Sequence, residues 1–158
     1  MKDDNDLSWI SELSKKDAEA LLKQMTFAKE KKLMEGSFAE FVKGAWHTVE
    51  PSTPLAWNWH LDTICGYAEA VEKGAITKLV VNIPPGTCKS LIFSVFFPMW
   101  VWIRDPGQRF LVGTNDPTLS TRDSLRMRGM MDHEWFQKRW KEGVDDNGET
   151  IDHIQLSP

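Results

Sequence analysis

The stretch VVNIPPGTCKSLIF, residues 80–93, has the layout of a phosphate-binding loop between a strand and a helix. The usual pattern, G-x-x-x-x-G-K-[ST], has glycine at its first and sixth positions. When Lys89 and Ser90 are aligned with it, Ile83 takes the first position and Cys88 the sixth. A side chain at the sixth position costs about 1–2 kcal/mol if the backbone there is left-handed. Two interpretations stay open, a nucleotide site or a strand–turn–helix corner with a surface lysine.

The residues around this lysine supply what phosphate binding requires. Two prolines force an extended turn, Gly86 permits unusual dihedral angles, and Lys89 begins a helix whose free N–H groups attract anions. In such a loop the lysine contacts the β- and γ-phosphates of ATP, and the Ser90 hydroxyl coordinates Mg²⁺. We predict Lys89 as the catalytic residue. The predicted nucleotide-binding residues are Pro84, Pro85, Gly86, Thr87, Cys88, Lys89 and Ser90.

Hydrophobic periodicity outward from the loop predicts an alternation of helices and strands. We expect a buried strand at residues 77–83, which are rich in β-branched residues, and a second strand at residues 108–115, which follows a turn at residues 105–107. Asp116 and Pro117 are typical of the N-cap and first position of a helix. The predicted helices are 15–34, a short one after residue 37, one ending near residue 74, 89–102, 118–131 and 134–141. This order predicts an α/β fold with a parallel sheet.

Length and composition are typical of a globular protein. The chain has 158 residues, of which 41% are hydrophobic and 27% charged, and its formal net charge is −4. That charge gives no overall basic field for nucleic acid. Two cysteines do not make a disulfide framework, so a reducing compartment is expected. The acidic N-terminus has no apolar segment, and it is therefore not interpreted as a signal peptide.

Three segments in order resemble the large subunit of tailed-bacteriophage terminases, the ATPase that packages viral DNA. The first is PPGTCKSLIFSVFFPMWVWIRDPGQRFLVGTND, residues 84–116, with a P-P-x-x-x-K-S loop and F-P-x-W in the following helix. The second lies upstream, PLAWNWHLDTICGYAEAVEKGAITKLVVNIPP, and the third downstream, GTNDPTLSTRDSLRMRGMMDHEWFQKRW. The resemblance covers about residues 38–141. It implies a P-loop NTPase-like fold of the RecA/ASCE type, a parallel sheet with flanking helices, incomplete at its C-terminal end.

The resemblance also implies further site residues. Trp59 and His60 lie where these ATPases build an adenine-side pocket, although packing of a helix start against the core is an alternative. Arg122 and Arg126 are four residues apart and therefore share one face of a helix. They are candidate arginine sensors of nucleotide, contacts for a neighbouring subunit, or solvated surface residues. The implied cofactors are ATP and Mg²⁺, with Ser90 as the metal-coordinating residue.

Two departures from the family pattern bear on activity. Many members have a basic residue inside the loop, whereas residues 86–88 are glycine, threonine and cysteine. A Walker B strand, a catalytic glutamate and the family's nuclease domain have no match in this sequence. Asp145 and Asp146 follow no apolar strand, so we do not interpret them as Walker B.

We expect a charged helical segment at residues 1–36 and the first half of an ATPase domain at residues 37–158. Whether the chain by itself is an enzyme stays open, and we expect no appreciable turnover.

The resemblance implies partners and a location. These are a small terminase subunit, a portal protein, double-stranded viral DNA and a homo-oligomeric ring, with no membrane, in the host cytoplasm and transiently at the procapsid portal. The alternative function is a non-catalytic module that docks to a small subunit or portal through the apolar face of its first helix, Leu21, Leu22 and Met25. A P-loop kinase fits less well, because kinases of that fold usually keep the sixth-position glycine.

Cys88 gives one further expectation. A thiol beside Lys89 at a helix N-terminus should have a lowered pKa and be reactive. Nucleotide in the loop should then protect Cys88 from alkylation.

Overall fold

Helices dominate the parts of the chain that the computed structural model describes, residues 15–140, 143–144 and 150–151. The π-helical turn Ile92–Phe96 joins α4 to α5, so residues 89–102 form one continuous helix, called helix 89–102 below. The predicted helices are confirmed, with ends that differ by a few residues. The α-helices are α1 Lys15–Gly36, α2 Phe38–Val49, α3 Trp59–Glu72, α4 Lys89–Leu91, α5 Phe97–Trp102, α6 Pro117–Asp132 and α7 Glu134–Trp140.

The predicted α/β fold class with a parallel sheet is wrong. Within the described residues, the β-structure is limited to β1, Gly143–Val144, and β2, Thr150–Ile151, which pair antiparallel with Gly143 opposite Ile151. Residues 77–83 and 108–115 contain no β-strand, and no described segment pairs with either. A strand exists only where a neighbouring strand takes up its N–H and C=O groups. The local sequence pattern predicted strands at both segments, but such a pattern alone does not provide the neighbouring strand with which each would have to pair.

Side-chain exposure in the two segments supports this correction. Val80 is 92% exposed and Leu111 is 100% exposed, whereas both would be buried in a covered parallel sheet. Leu79 and Val81 line a cavity of about 480 Å³. Helix 89–102 contributes both polar and apolar residues to the same lining, namely Lys89, Ser90, Phe93, Ser94 and Phe97. Protein interiors are close-packed, so a space of this size shows that the segment does not pack tightly against the helix.

The hydrophobic core lies between α2, α3, helix 89–102, α6 and α7. Helix 89–102 buries Ile92, Val95, Phe96, Met99 and Trp100, which follow the spacing of one helical face. The Trp100 indole Nε1 donates a hydrogen bond to the Met34 carbonyl oxygen at 2.9 Å. The π turn ends two residues before Pro98, which has no amide proton to donate to the carbonyl of residue 94, so the regular α-helical hydrogen bond is missing there.

The chain divides between Leu33 and Met34 into two compact units. The described part of the first unit is helical and exposes Leu22, Met25 and Leu33. The second unit contains the hydrophobic core and all the candidate site residues. Asp145 and Asp146, considered above for Walker B, lie outside the described residues. None of the described helices combines the length and the apolar character that crossing a bilayer requires.

Candidate functional site

The 84–90 loop has a left-handed backbone at two positions. Gly86 has φ +84° and Cys88 has φ 61° and ψ 10°. In the described residues, Cys88 is the one non-glycine residue with positive φ, a conformation that costs about 1–2 kcal/mol for a residue with a side chain. The loop turns further through Thr87, whose hydroxyl donates to the Pro84 carbonyl at 2.8 Å. Cys88 therefore has the backbone conformation that the usual sixth-position glycine would adopt without strain.

The backbone amides of the loop are free to bind an anion. No described residue accepts a hydrogen bond from the N–H groups of residues 86–90. The first such bond of the helix runs from the Ile92 amide to the Cys88 carbonyl, at 3.0 Å. Consecutive free N–H groups around a left-handed residue at a helix start are a recurrent anion-binding arrangement.

A cavity of about 330 Å³ lies against the loop, and we call it the loop cavity. Its lining consists of residues 84–91 together with Arg122 and Arg126 from α6. Lys89 is the third cation of the lining, and no carboxylate belongs to it. Cations combined with free amides make the loop cavity chemically complementary to a phosphate group.

Helix α6 carries both arginines to the cavity. Asp116 caps its N-terminus by accepting a hydrogen bond from the Thr118 amide at 2.8 Å, and Pro117 takes the first helical position, as predicted. Arg122 and Arg126 lie one turn apart, and α6 packs against α2 and the π turn. The spacing thus predicted that the arginines share a face, but the packing determines that this face meets the loop.

Each arginine has a carboxylate partner that the sequence did not indicate. Arg122 donates from Nε and Nη2 to Asp123 Oδ1, at 3.0 and 2.9 Å. Arg126 donates from Nη2 to Glu50 Oε1 at 2.8 Å. Asp123 is the one buried charged residue in the described chain and is 4% exposed. Glu50 lies 76 residues before Arg126, a separation at which no local pattern could have paired them.

Lys89 is the cation in the lining without a carboxylate partner among the described residues. Its Nζ is 3.5 Å from the carbonyl oxygen of Ile83, at the long limit for a hydrogen bond. An ammonium group held this loosely can move to a phosphate without first breaking an ion pair. Lys89 is partly buried and lines the loop cavity. Of the alternative strand–turn–helix corner with a surface lysine, the strand is absent from residues 77–83, whereas a surface role for the lysine stays open.

The expected low pKa of Cys88 is wrong. Partial burial raises the pKa of this thiol, and the negative charge of Glu50 raises it further. Burial disfavours the charged thiolate, and the sequence gave no sign that a carboxylate would lie near it. Cys88 is therefore less reactive near neutral pH than an ordinary exposed cysteine.

Trp59 and His60 do not line the loop cavity. Trp59 begins α3, where its amide donates to the side chain of Asn58 at 2.7 Å. Its side chain is 73% exposed, so the alternative of core packing is wrong for this residue. Its ring contacts that of His60 edge-on, with centroids 6.2 Å apart. Their role in an adenine-side pocket stays a prediction.

Ser90 follows Lys89 at the start of helix 89–102, and its role as a magnesium ligand stays a prediction. It lines the loop cavity, and its hydroxyl has no hydrogen-bond partner in the described part of the chain. The described residues contain no group of three histidine, cysteine or acidic side chains that could hold a metal alone. Mg²⁺ commonly binds through substrate phosphates, waters and few protein ligands, so the residues present fit that mode.

Comparison with models of protein families, with curated proteins and with solved structures found no match to this chain. The 84–90 loop, the loop cavity and the sequence motifs are therefore the features that indicate a function.

Proposed function

We propose that the 84–90 loop binds the phosphates of ATP with Mg²⁺, and that the chain is the nucleotide-binding part of a viral DNA-packaging ATPase of the terminase type. The observation that supports this most strongly is the loop cavity, which three cations line without any carboxylate. The free amides of residues 86–90 lie beside these cations. The terminase assignment depends on the order and spacing of the sequence motifs.

The size and charge of the cavity suit a polyphosphate. Hydrogen bonds from charged donors contribute about 1.5–3 kcal/mol each, which is more than bonds between neutral groups contribute. Three such donors and several amides together give enough binding energy for a weak to moderate nucleotide complex. Two of the cations already have carboxylate partners, so the full effect of three isolated charges is not expected.

In phosphoryl transfer to water, positively charged groups stabilise the charge that develops on the phosphate oxygens. Lys89 would contact the β- and γ-phosphates, and the arginines of α6 would contact the outer oxygens. Bound Mg²⁺ would neutralise phosphate charge, with Ser90 as its protein ligand. Orienting the attacking water requires a carboxylate, which the lining of the loop cavity lacks. We therefore expect this 158-residue chain to bind MgATP without appreciable hydrolysis.

In a packaging motor, nucleotide binding would be coupled to movement of double-stranded DNA through a portal into the procapsid. A homo-oligomeric ring, a small terminase subunit and the portal protein would be the partners, in the host cytoplasm. These elements of the proposal come from the resemblance to terminases.

Calorimetric titration with MgATP tests the proposed binding. We expect saturable binding by the wild type, and Lys89→Ala should weaken it at least about tenfold, or about 1.4 kcal/mol. Lys78→Ala is the matched control, because Lys78 is an exposed lysine near the loop in sequence that does not line the cavity. Equal affinities for the wild type and Lys89→Ala, or no binding at all, would contradict the proposal.

A second candidate function is docking through α1, and exposed apolar side chains favour it. Leu22, Met25 and Leu33 are each more than half exposed on this helix. An apolar surface of this kind is typical of a helix that packs against a partner. Cross-linking from α1 to the purified small terminase subunit or portal protein, lost in Leu22→Ser/Met25→Ser, would support docking. Docking without nucleotide binding would favour this function over the first.

A further inference from the structure

Glu50 connects two elements that are distant in sequence at the edge of the candidate site. It follows the last residue of α2 and directly precedes Pro51. Its carboxylate accepts a hydrogen bond from Arg126 Nη2 at 2.8 Å, and the two side chains are 28% and 29% exposed. Arg126 lines the loop cavity, whereas Glu50 does not.

We propose that Glu50 is a positioning residue that holds Arg126 in the orientation needed to bind a nucleotide phosphate. This inference rests on the proposed function. A guanidinium group has five N–H donors in a fixed fork, and Glu50 accepts a hydrogen bond from one of its nitrogens, Nη2. The remaining donors stay available to phosphate oxygens. In this proposal Arg126 binds two anions at once, the Glu50 carboxylate as its structural partner and the nucleotide phosphate as its ligand.

The charges around the cavity explain why orientation matters here. Asp123 and Glu50 each neutralise one arginine from outside the lining, which leaves Lys89 as the uncompensated cation. The arginines are then expected to act mainly through directed hydrogen bonds and less through their net charge. A long arginine side chain loses considerable rotamer freedom when it is fixed. Glu50 fixes Arg126 before the ligand arrives, so binding the ligand costs less entropy.

Glu50 also has an effect that opposes phosphate binding, because its carboxylate is negatively charged. Its negative charge reaches the loop, as the raised pKa of Cys88 indicates, and would repel a phosphate. Solvent screens this repulsion, because Glu50 is partly exposed and its own charge is paired with Arg126. The directed contact at 2.8 Å is short-range and less affected by screening. The gain in phosphate affinity from positioning Arg126 is therefore expected to exceed the loss from repulsion by Glu50.

The carboxylate partner of Arg122 differs from that of Arg126 in its burial. Asp123 holds Arg122 from the adjacent position of the same helix, but it is buried, so replacing it would disturb the packing of α6. Glu50 lies at the end of α2 and is partly exposed, and its replacement is less damaging to the fold. The positioning role can therefore be tested at Glu50 without a large loss of stability.

The test compares MgATP affinities at one ionic strength for the wild type, Glu50→Ala, Glu50→Gln, Arg126→Ala and Glu50→Ala/Arg126→Ala. Glu50→Ala should weaken binding about threefold to tenfold. Glu50→Gln should remain within about twofold of the wild type, because its amide oxygen still accepts from Nη2. In the Arg126→Ala background, Glu50→Ala should cause no further loss, since the residue it positions is absent. A melting temperature for each free variant shows that it is folded.

Specific results would overturn the inference. Tighter binding by Glu50→Gln would show that repulsion exceeds positioning, and this variant keeps the test valid if Glu50→Ala does not fold. An equal loss from Glu50→Ala with and without Arg126 would show that Glu50 acts by another route. If wild-type binding is absent or independent of Lys89, the proposed function fails. If binding depends on Lys89 but not on Glu50, only the positioning role fails.

Discussion

The two ends of helix 89–102 differ in almost every physical property. Toward its C-terminal end, Phe96 and Trp100 are buried against aromatic rings of α2, and Met99 between them is also buried. At its N-terminal end, the helix begins with a strained cysteine, free amides and a lysine beside a cavity. The buried end gains stability from packing, whereas the loop end keeps amides and a lysine that have no hydrogen-bonding or charged side-chain partner within the described residues.

This difference shows how one helix can provide both a rigid anchor and a binding site. Unpartnered donors and a left-handed residue destabilise a fold, so they persist only where surrounding structure holds them. The buried aromatic residues supply that support a few turns away. The comparison predicts that substitutions at the buried end affect stability and those at the loop end affect binding.

The largest expected effect is at the buried end. Phe96→Ala should lower the free energy of unfolding by about 3–5 kcal/mol, because it removes a fully buried ring that stacks on Trp46. Leu111→Ala should change it by less than about 0.5 kcal/mol, since Leu111 is fully exposed. Urea denaturation of both variants measures the difference. A loss of several kcal/mol for Leu111→Ala would mean that residues 108–115 are a buried strand after all.

The strain at Cys88 gives the next largest effect. Cys88→Gly should be more stable than Cys88→Ala by about 0.5–1 kcal/mol. Glycine avoids the steric cost of positive φ, about 1–2 kcal/mol, but it loses more conformational freedom on folding, which offsets about 0.5–1 kcal/mol of that gain. At Thr63, an exposed position within α3, the order should reverse and alanine should be more stable by about 1 kcal/mol. Unfolding free energies of the four variants measure both differences. An alanine advantage at position 88 would contradict the left-handed loop.

The smallest expected effect is a pH dependence at His47, which lies on α2 and does not line the loop cavity. Partial burial lowers the pKa of His47, and His133 and Arg139 lower it further, against a hydrogen bond with Gly44 that raises it. The unfolded chain, with its ordinary histidine pKa of 6.5, then binds more protons than the folded chain below that pH. Stability should be complete above about pH 6.5 and should fall as the pH drops from there through the lowered pKa.

Solvent screening limits the effect at His47 to less than about 0.5 kcal/mol, because its burial is only partial and more than a third of the residue stays exposed. Melting temperatures of the wild type and His47→Gln between pH 7.5 and about 5 isolate it from other titrations. The two curves should diverge as the pH falls, with the wild type losing more stability. Parallel curves would show that His47 does not contribute.

The sequence predicted the helices well, because helical periodicity is a local property. The spacing of apolar residues in α3 predicts one buried face made of Leu61, Ile64, Cys65, Ala68 and Val71. The first four are buried, whereas Val71 near the end of the helix is only partly buried. The strands failed because pairing is not local. The residues of 77–83 and 108–115 have strand composition, but the described chain provides no neighbouring strand.

The candidate site also combines local features, which the sequence predicted, with tertiary features, which it did not. The loop residues and the shared face of Arg122 and Arg126 follow from local spacing, and the structure brings them to one cavity. Glu50 and Asp123 were missed because their importance depends on packing between α2, α6 and the loop. The pKa of Cys88 was predicted in the wrong direction for the same reason, since burial and Glu50 are both tertiary effects.

Protection of Cys88 from alkylation tests most directly whether nucleotide binds at the loop. The reaction is run at alkaline pH, because the thiol pKa is raised, and mass spectrometry follows each cysteine. Cys65 is an internal control, since it is buried and its pKa is raised to about 12. MgATP at about ten times its dissociation constant should slow alkylation of Cys88 roughly tenfold in the wild type and much less in Lys89→Ala. An unchanged rate with saturating MgATP, or a Cys88 that never reacts, would contradict the account.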